Sequence, residues 1–517
     1  MQILLLLATL ILFARPALAA PRIDVSWSYE RADNARTESG SRSLDIPALG
    51  APGLTATDPG IEKTIFLAQT AQTLVDFLGR YQEACTEPVR PRERSIFPVC
   101  AAPRRAVASA LLTEIQTMDA RILANPRLRA DQDVVEVLDL TRSLARNMQK
   151  AEPPVGGYSP PTPLPWYGVR VYARAAAPGG GLALGGGGAQ GFGYFRKIVG
   201  DGSVPKGDVL TVEGFLREFS LPLTRAEACR DLVCVDPAVA VDSENRRLYV
   251  QLGMSSSRTA ETFQRDPLNL AVVLDVSGSM SATDATEKSR LEWAKDALVQ
   301  TIQELDEADM LSIVLFDTNS EILVRPTPVR DKQVLIAKVK ALQTRGSTNL
   351  EAGLQDGFKL VGENVDRLPG YEHRVLLISD AGLNTGVTDT SSLQRLVTEQ
   401  AGRRIGLTAL GLGENFHQSV IHAISNSRGG NYMFVQSGED MLRYFKAFNY
   451  LVTPVAYEFN VDALVQDLGV ELVRTYGITT EAGAQPTRSR IDLKTLFFTE
   501  DGGAILLEYA LPEARRE

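Results

Sequence analysis

Apolar positions change their spacing along the chain, and each change of spacing predicts a different kind of element. Between residues 61 and 148 they recur every three or four positions: Ile61, Ile65, Ala68, Val75 and Leu78, then Val107, Leu111, Ile115 and Ile122, then Val134, Leu138 and Leu144. That period puts them on one face of a helix and predicts a small module of three helices. Two shorter helical stretches follow between residues 194 and 220, separated by Val204-Pro205-Lys206, and then a hairpin-like strand region containing Arg247-Leu248-Tyr249-Val250. From about residue 266 to 452 the pattern becomes an alternation. Runs at 268–274, 311–316, 375–378 and 405–412 are apolar throughout and of strand length, with helical patterns between them, clearest at Leu291, Ala294, Leu298, Ile302 and Leu305. Buried strands separated by amphipathic helices predict an α/β fold, a doubly wound and mostly parallel sheet covered on both faces. Beyond Pro454 the period falls to two, with Val455, Tyr457, Phe459 and Val461 and later Ile505, Leu507, Tyr509 and Leu511, which predicts a β-rich C-terminal segment.

A chain of 517 residues exceeds the size at which one hydrophobic core keeps growing, so two to four folded units are expected. The patterns divide it into a helical module at 20–152, an upstream region at 194–265, the α/β domain at 266–452 and the β-rich region at 453–517. Residues 153–193 separate the first two. Their composition shifts to Pro and then Gly, with Ser159-Pro160-Pro161-Thr162-Pro163 and a glycine run from 185 to 188, and they are expected to form a linker of low order. Elsewhere 44% hydrophobic and 23% charged residues describe ordinary globular protein. The formal net charge of -9, without a dense Lys/Arg run, excludes the electrostatic footprint of a nucleic-acid binder.

The first residues change the picture again. An apolar run from Ile3 to Ala14 precedes Ala17-Leu18-Ala19, the small-x-small form read by signal peptidase. A membrane span needs roughly 20 apolar residues, and Arg15 and Pro16 interrupt this one. Residues 1–19 are therefore read as a cleaved signal peptide, and the mature chain as periplasmic or secreted, without a transmembrane segment. In an exported chain four cysteines in two local pairs, Cys85 with Cys100 and Cys229 with Cys234, are expected to form disulfides.

In a doubly wound sheet ligands bind outside the carboxyl ends of the strands. Ala271-Val272-Val273-Leu274 runs into Asp275-Val276-Ser277-Gly278-Ser279, placing a carboxylate and two hydroxyls on one tight loop before a helix. Val375-Leu376-Leu377-Ile378-Ser379 ends in Asp380, and Gly346-Ser347-Thr348-Asn349 opens another helix between them. Oxygen ligands of this kind suit a hard divalent cation. Asp275-x-Ser277-x-Ser279, Thr348 and Asp380, in that order and context, resemble the metal-ion-dependent adhesion site of von Willebrand factor A domains. Leu410-Gly411-Leu412-Gly413 and Gly430-Asn431-Tyr432 resemble the late strands of that family. Tyr194-Phe195-Arg196-Lys197 through Phe215 resembles the upstream segment of its bacterial YfbK-like members, so the likeness runs from about residue 190 through the β-rich tail and leaves the helical module outside. The resemblance implies that Asp275 anchors the loop, that Ser277 and Ser279 coordinate directly, and that Thr348 and Asp380 bind directly or through water. The ion it implies is Mg²⁺, with Mn²⁺ or Ca²⁺ as alternatives. Five such ligands leave a six-coordinate ion short, so water or the Asp or Glu side chain of a protein partner must complete the shell. This chain departs from its relatives after Asp380, where Ala381-Gly382 replaces Gly and an acid before Leu383-Asn384-Thr385-Gly386 resumes the pattern; it also ends soon after Leu511, whereas relatives commonly continue.

The alternatives are a helix N-cap, which Asp and Ser also favour, a structural envelope scaffold without metal, and a hydrolase or phosphotransferase using Asp275 as nucleophile. Haloacid-dehalogenase-like enzymes place a second acid two residues after that Asp, where this chain has Ser277. Neither serine lies in G-x-S-x-G, and Gly411-Leu412-Gly413-Glu414-Asn415-Phe416 leaves the dinucleotide fingerprint incomplete. His417 and His422 are five apart, off the same-face spacing of a helical two-His site, and with His373 they are read as ordinary residues. The acidic stretch Glu304, Asp306, Glu307 and Asp309 is read as a solvated helix end. No catalytic activity is expected.

Overall fold

The structure is a computed structural model and describes residues 21–47, 54–84, 97–150, 183–186, 192–205, 210–219, 221, 229–259, 262–283, 288–380, 390–412, 427–435, 445, 448–466, 468–478, 488–499 and 504–512. In chain order the elements are β1 (Arg22–Arg31), β2 (Thr37–Asp45), β3 (Leu54–Ala56), α1 (Ile61–Glu83), α2 (Phe97–Ala124), α3 (Pro126–Ala130), α4 (Gln132–Lys150), β4 (Ala183–Gly186), α5 (Phe192–Gly200) and α6 (Val212–Arg217). Next come β5 (Cys234–Asp242), β6 (Arg247–Ser255), β7 (Leu268–Asp275), α7 (Arg290–Glu304), β8 (Met310–Phe316), β9 (Ser320–Pro328), α8 (Lys332–Lys340) and α9 (Leu350–Gly362). The last are β10 (Glu372–Ser379), α10 (Thr390–Gly402), β11 (Ile405–Leu412), β12 (Asn431–Val435), a short helix Phe448–Val452, β13 (Pro454–Val465), β14 (Glu471–Tyr476), β15 (Arg488–Thr499) and β16 (Ala504–Ala510).

Six strands form the central sheet in the order β12-β11-β10-β7-β8-β9. All its pairings are parallel except β8 with β9. β7 has no polar face because both of its faces are covered. Leu268, Leu270, Val272 and Leu274 pack with Leu291, Leu298 and Ile302 of α7, while Ala271 and Val273 pack with Leu354 and Phe358 of α9. Each large side chain removed from water in this way contributes about 1.5–3 kcal/mol. α9 lies close on the sheet because glycines face it: a Cβ on Gly357 would stand 2.4 Å from Val273, and one on Gly353 2.8 Å from Phe316. That approach fixes the start of α9, and with it Thr348. The doubly wound α/β expectation for this region holds, with β9 as an added antiparallel edge.

Ten strands form the second sheet, in the order β14-β16-β6-β4-β15-β13-β1-β2, with β5 beside β6 and β3 beside β5. One core joins Ile23, Val25 and Trp27 of β1 to Phe459 and Val461 of β13 and to Val239, Val250 and Leu507 of β5, β6 and β16. On the other side Ala240, Tyr249 and Leu506 pack with α1, α2 and α4.

Two expected boundaries give way here. The stretch taken as a helical module at 20–152 opens with three strands, and β1 pairs with β13 and β2. The linker expected at 153–193 contains β4, whose Gly185 and Gly186 lie opposite Phe497 and Leu496 of β15. Pairing uses main-chain groups, which glycine supplies as well as any residue, so composition alone misjudged it. α5 begins at Phe192, inside the expected linker, and Phe192 and Phe195 join Phe215 and the helices in one core, so the helical and upstream regions share their interior. The remaining linker residues, 153–182 and 187–191, lie outside the described residues, as does the proposed signal peptide.

Cys229 and Cys234 form a disulfide with a Cα separation of 5.8 Å, as expected for an oxidising compartment. Cys85 lies outside the described residues, and with it the expected pairing to Cys100.

Candidate functional site

β7 and β10 are neighbours, and the chain leaves β7 toward β8 on one side before returning to β10 on the other. This reversal of strand order opens a crevice at the carboxyl ends, where open α/β sheets bind ligands. Asp275 is the last residue of β7, and Asp380 directly follows β10. Both side chains are buried, as are Ser277 and Ser379, while Gly278 and Ser279 on the loop are exposed.

The loop after β7 is held by its own main chain. Gly278–Ser281 makes a 3₁₀ turn that drives Met280 into the core. Arg345 N donates to the Val276 carbonyl at 2.7 Å and Gly278 N to the Gly346 carbonyl at 3.2 Å, which docks the Thr348 loop against it. Gly346 makes this possible with φ +66°, since a Cβ there would sit 3.0 Å from Thr318 Oγ1. Asn349 then caps α9 by accepting from Ala352 N at 3.2 Å.

Four of the five expected ligands are joined through hydrogen bonds. One Asp275 oxygen accepts from Ser277 N at 2.8 Å and the other from Ser379 Oγ at 2.6 Å. The Ser277 and Ser279 hydroxyls are 2.9 Å apart, and Ser279 Oγ donates to Asp380 Oδ1 at 2.7 Å. Burial pushes the Asp275 carboxyl up to about 6, with the nearby Asp380 charge adding to it and the bonds from Ser379 and Ser277 opposing it. Thr348 stands on the adjoining loop, almost buried; no hydrogen bond among the described residues ties it to the other four.

Three features were missed in the sequence. Ser379 anchors Asp275 from the neighbouring strand; its signal was a hydroxyl ending an otherwise apolar run. Asp317 follows β8, a third strand ending in an acid. Its carboxylate accepts from Asn319 N at 3.0 Å and Arg345 Nε at 2.6 Å, which hold it below the usual carboxylate range. Arg290, the first residue of α7, donates to Asp380 Oδ2 at 2.5 Å. Its only signal was the capping box of Ser289 and Glu292, which fixes where α7 starts. Ala381 and Gly382, which replace the Gly and acid of the relatives, lie outside the described residues.

The expected solvated acidic stretch is corrected at Asp309, which is fully buried. Arg265 grips it at 2.7 and 2.5 Å, and Leu268 N and Asp306 N donate to it at 2.8 and 2.6 Å, because it staples the starts of β7 and β8 together. His373 is a buried residue beside Asn269, 3.0 Å away, and burial lowers its pKa. His417 and His422 lie outside the described residues. Among the described residues no three His, Cys, Asp or Glu side chains gather as a metal cluster, and no helix is long and apolar enough to cross a membrane.

Residues 270–383 match the profile of the von Willebrand factor type A domain. The chain is 29% identical over 186 residues to the uncharacterized protein sll0103 of Synechocystis sp., covering 35% of this chain and 41% of that one. With the uncharacterized protein YfbK of Escherichia coli it shares 25% over 253 residues, 47% of this chain and 42% of that one. With the inter-alpha-trypsin inhibitor heavy chain H3 of Homo sapiens it shares 28% over 211 residues, 38% of this chain and 23% of that one. The chain thus spans less than half the length of these relatives. Among solved structures, a von Willebrand factor type A protein from Catenulispora acidiphila superposes with TM-score 0.35 at 13% identity, over 52% of this chain and 61% of that one. Domains of this type serve protein interaction and adhesion, often through a metal-ion-dependent adhesion site. The centre of this chain is a von Willebrand factor type A domain, and the protein resembles the bacterial YfbK-like family.

Proposed function

We propose that the chain is an exported protein-binding component of the cell envelope, which uses Asp275, Ser277, Ser279, Thr348 and Asp380 to hold a divalent cation, Mg²⁺ foremost. The observation that carries this reading is the hydrogen-bonded line from Asp275 through Ser277 and Ser279 to Asp380, at the strand reversal and under an exposed loop. The donor set fits a hard cation, being two carboxylates and neutral hydroxyls with no sulfur or imidazole. When bound, the ion supplies a positive centre with a coordination position for an Asp or Glu of a protein partner.

The chain's own residues do the rest. Asp275 orients the loop by accepting from Ser277 N, and Ser379 keeps its second oxygen fixed. Exposed Ser279 stands where a partner would approach. A nucleophilic Asp275 fits poorly, since both its oxygens accept hydrogen bonds and its side chain has no exposure. The disulfide Cys229–Cys234 supports an oxidising, exported location.

The test is calorimetric titration of the full chain with Mg²⁺ and Mn²⁺, beside a pull-down from envelope extract with Mg²⁺ or chelator. The wild type should bind metal and retain a protein only with Mg²⁺. An Asp275→Ala chain, checked by circular dichroism, should do neither. Wild-type metal and partner binding by that variant would defeat the reading.

A further inference from the structure

Asp380 is buried among the proposed ligands, yet its outer oxygen is already taken by a cation that belongs to the chain. Arg290 Nη1 lies 2.5 Å from Asp380 Oδ2, and the other oxygen accepts from Ser279. The guanidinium is not a loose surface group that happened to fall there. Its main-chain N donates to the Ala282 carbonyl at 3.0 Å, Thr283 and Ser289 form a bridge just before it, and the Ser289–Glu292 capping box fixes the turn on which it sits. Arg290 therefore leaves a backbone pinned on both sides and reaches Asp380 from the first residue of α7, with its side chain only 28% exposed.

We propose that Arg290 is a tethered cation that competes with the divalent ion for Asp380 and thereby sets both the metal affinity and the charge of the site. The proposal rests on the metal-site reading above. In the metal-free protein two carboxylates face one guanidinium, which leaves the cluster with one net negative charge, so an acidic partner is repelled. Adding a divalent ion brings a second cation against the first and reverses the net charge to positive, so that the loaded site attracts a carboxylate. The metal has to take Asp380 from Arg290 or share it, and either arrangement weakens metal binding in proportion to the repulsion. Arg290 thus positions Asp380 while the site is empty and sharpens the dependence of acidic-partner binding on metal.

Charge, more than shape, is the quantity at stake, and that makes the test specific. The full-length chain is titrated with Mn²⁺ alone, by calorimetry and by the loss of the free-ion electron paramagnetic signal, as wild type, Arg290→Gln, Arg290→Lys and Asp275→Ala. Removing the charge should tighten Mn²⁺ binding by about tenfold or more. Arg290→Lys, which keeps the charge, should stay within about threefold of wild type, and it also serves if the glutamine variant folds poorly. In excess chelator Arg290→Gln should melt below wild type, because Asp380 is left without its cation, and Mn²⁺ should raise its melting temperature more than it raises that of the wild type. Unchanged or weaker Mn²⁺ binding by Arg290→Gln, with the wild type still binding, overturns the competition and leaves the metal site standing. Absence of Mn²⁺ binding in both chains overturns the metal site and the competition together.

Discussion

The two edges of the central sheet both bury charge, and they treat it differently. At the amino edge the charges are paired off inside the protein. Asp309 receives a two-pronged arginine and two main-chain N–H groups. Fully buried Arg374 donates to Glu372 at 2.8 Å, to Thr408 at 3.0 Å and to the Gly429 carbonyl at 2.8 Å. Arg428 reaches the second sheet, bonding Glu30 at 2.7 Å and lying 3.8 Å over the Tyr457 ring. At the carboxyl edge Asp317 is held by Arg345, but Asp275 and Asp380 are met by hydroxyls, and the one guanidinium on Asp380 enters from α7. A closed set of opposite charges fastens elements together. Carboxylates lined by neutral hydroxyls under an exposed loop leave charge for something outside the chain to meet.

That contrast can be broken most directly at Asp309. Asp309→Ala removes the buried carboxylate that Arg265 grips and the acceptor of Leu268 N and Asp306 N, and should cost about 3–5 kcal/mol in urea unfolding, with no effect on metal binding by whatever remains folded. A cost below about 1 kcal/mol would show that the amino edge does not depend on this closure. Asp275→Ala should have the reverse profile: loss of metal binding, with a smaller stability cost of about 1–3 kcal/mol for the two hydrogen bonds lost from Ser379 Oγ and Ser277 N. Full burial at the end of β7 makes some cost unavoidable. Asp380→Asn should weaken metal binding less than Asp275→Ala, since the amide retains an oxygen for Ser279.

Smaller effects sharpen the comparison. Gly346→Ala forces an L residue into φ +66° against Thr318 and should cost about 1–2 kcal/mol while weakening metal affinity through the displaced Thr348 loop. Equal affinity in that variant would detach Thr348 from the site. The smallest effect belongs to His373 at the amino edge, whose pKa burial lowers below its ordinary 6.5. The unfolded chain then takes up the proton first, so the contribution of this residue is present above about pH 6.5 and is lost as the pH falls below it. Chemical unfolding of wild type and His373→Gln across pH 5–8 should show the wild type losing more stability on the acid side.

The central sheet was legible because its strands are buried on both faces and read as unbroken apolar runs, as at Leu270 to Leu274. β9 escaped notice because an edge strand such as Ser-Glu-Ile-Leu-Val-Arg-Pro-Thr-Pro shows no such run. The carboxylates and hydroxyls at the carboxyl edge were visible through their order and spacing. Arg290 and Ser379 were not, because each acts on a residue about a hundred positions or less away that only the fold brings near. Strands of the second sheet were legible at Val250 and beyond Pro454, but their pairing with the N-terminal strands was hidden for the same reason on a larger scale. β1 alternates as a strand should, with Ile23, Val25, Trp27 and Tyr29 inward, yet its partner lies almost the full chain away.

That last separation has a consequence in time. Ile23 pairs with Val465, 442 residues later, so at synthesis rates of about 5–20 residues per second β1 waits roughly 20–90 s for its neighbour to exist. Through that interval β1 has the hairpin partner β2 on one edge only, and the edge that later meets β13 is open to any other chain. Loop closure over such a distance is slow and comes late, after the local helices and the α/β sheet have had time to form. Among the described strands, the first to be made is thus among the last to be completed.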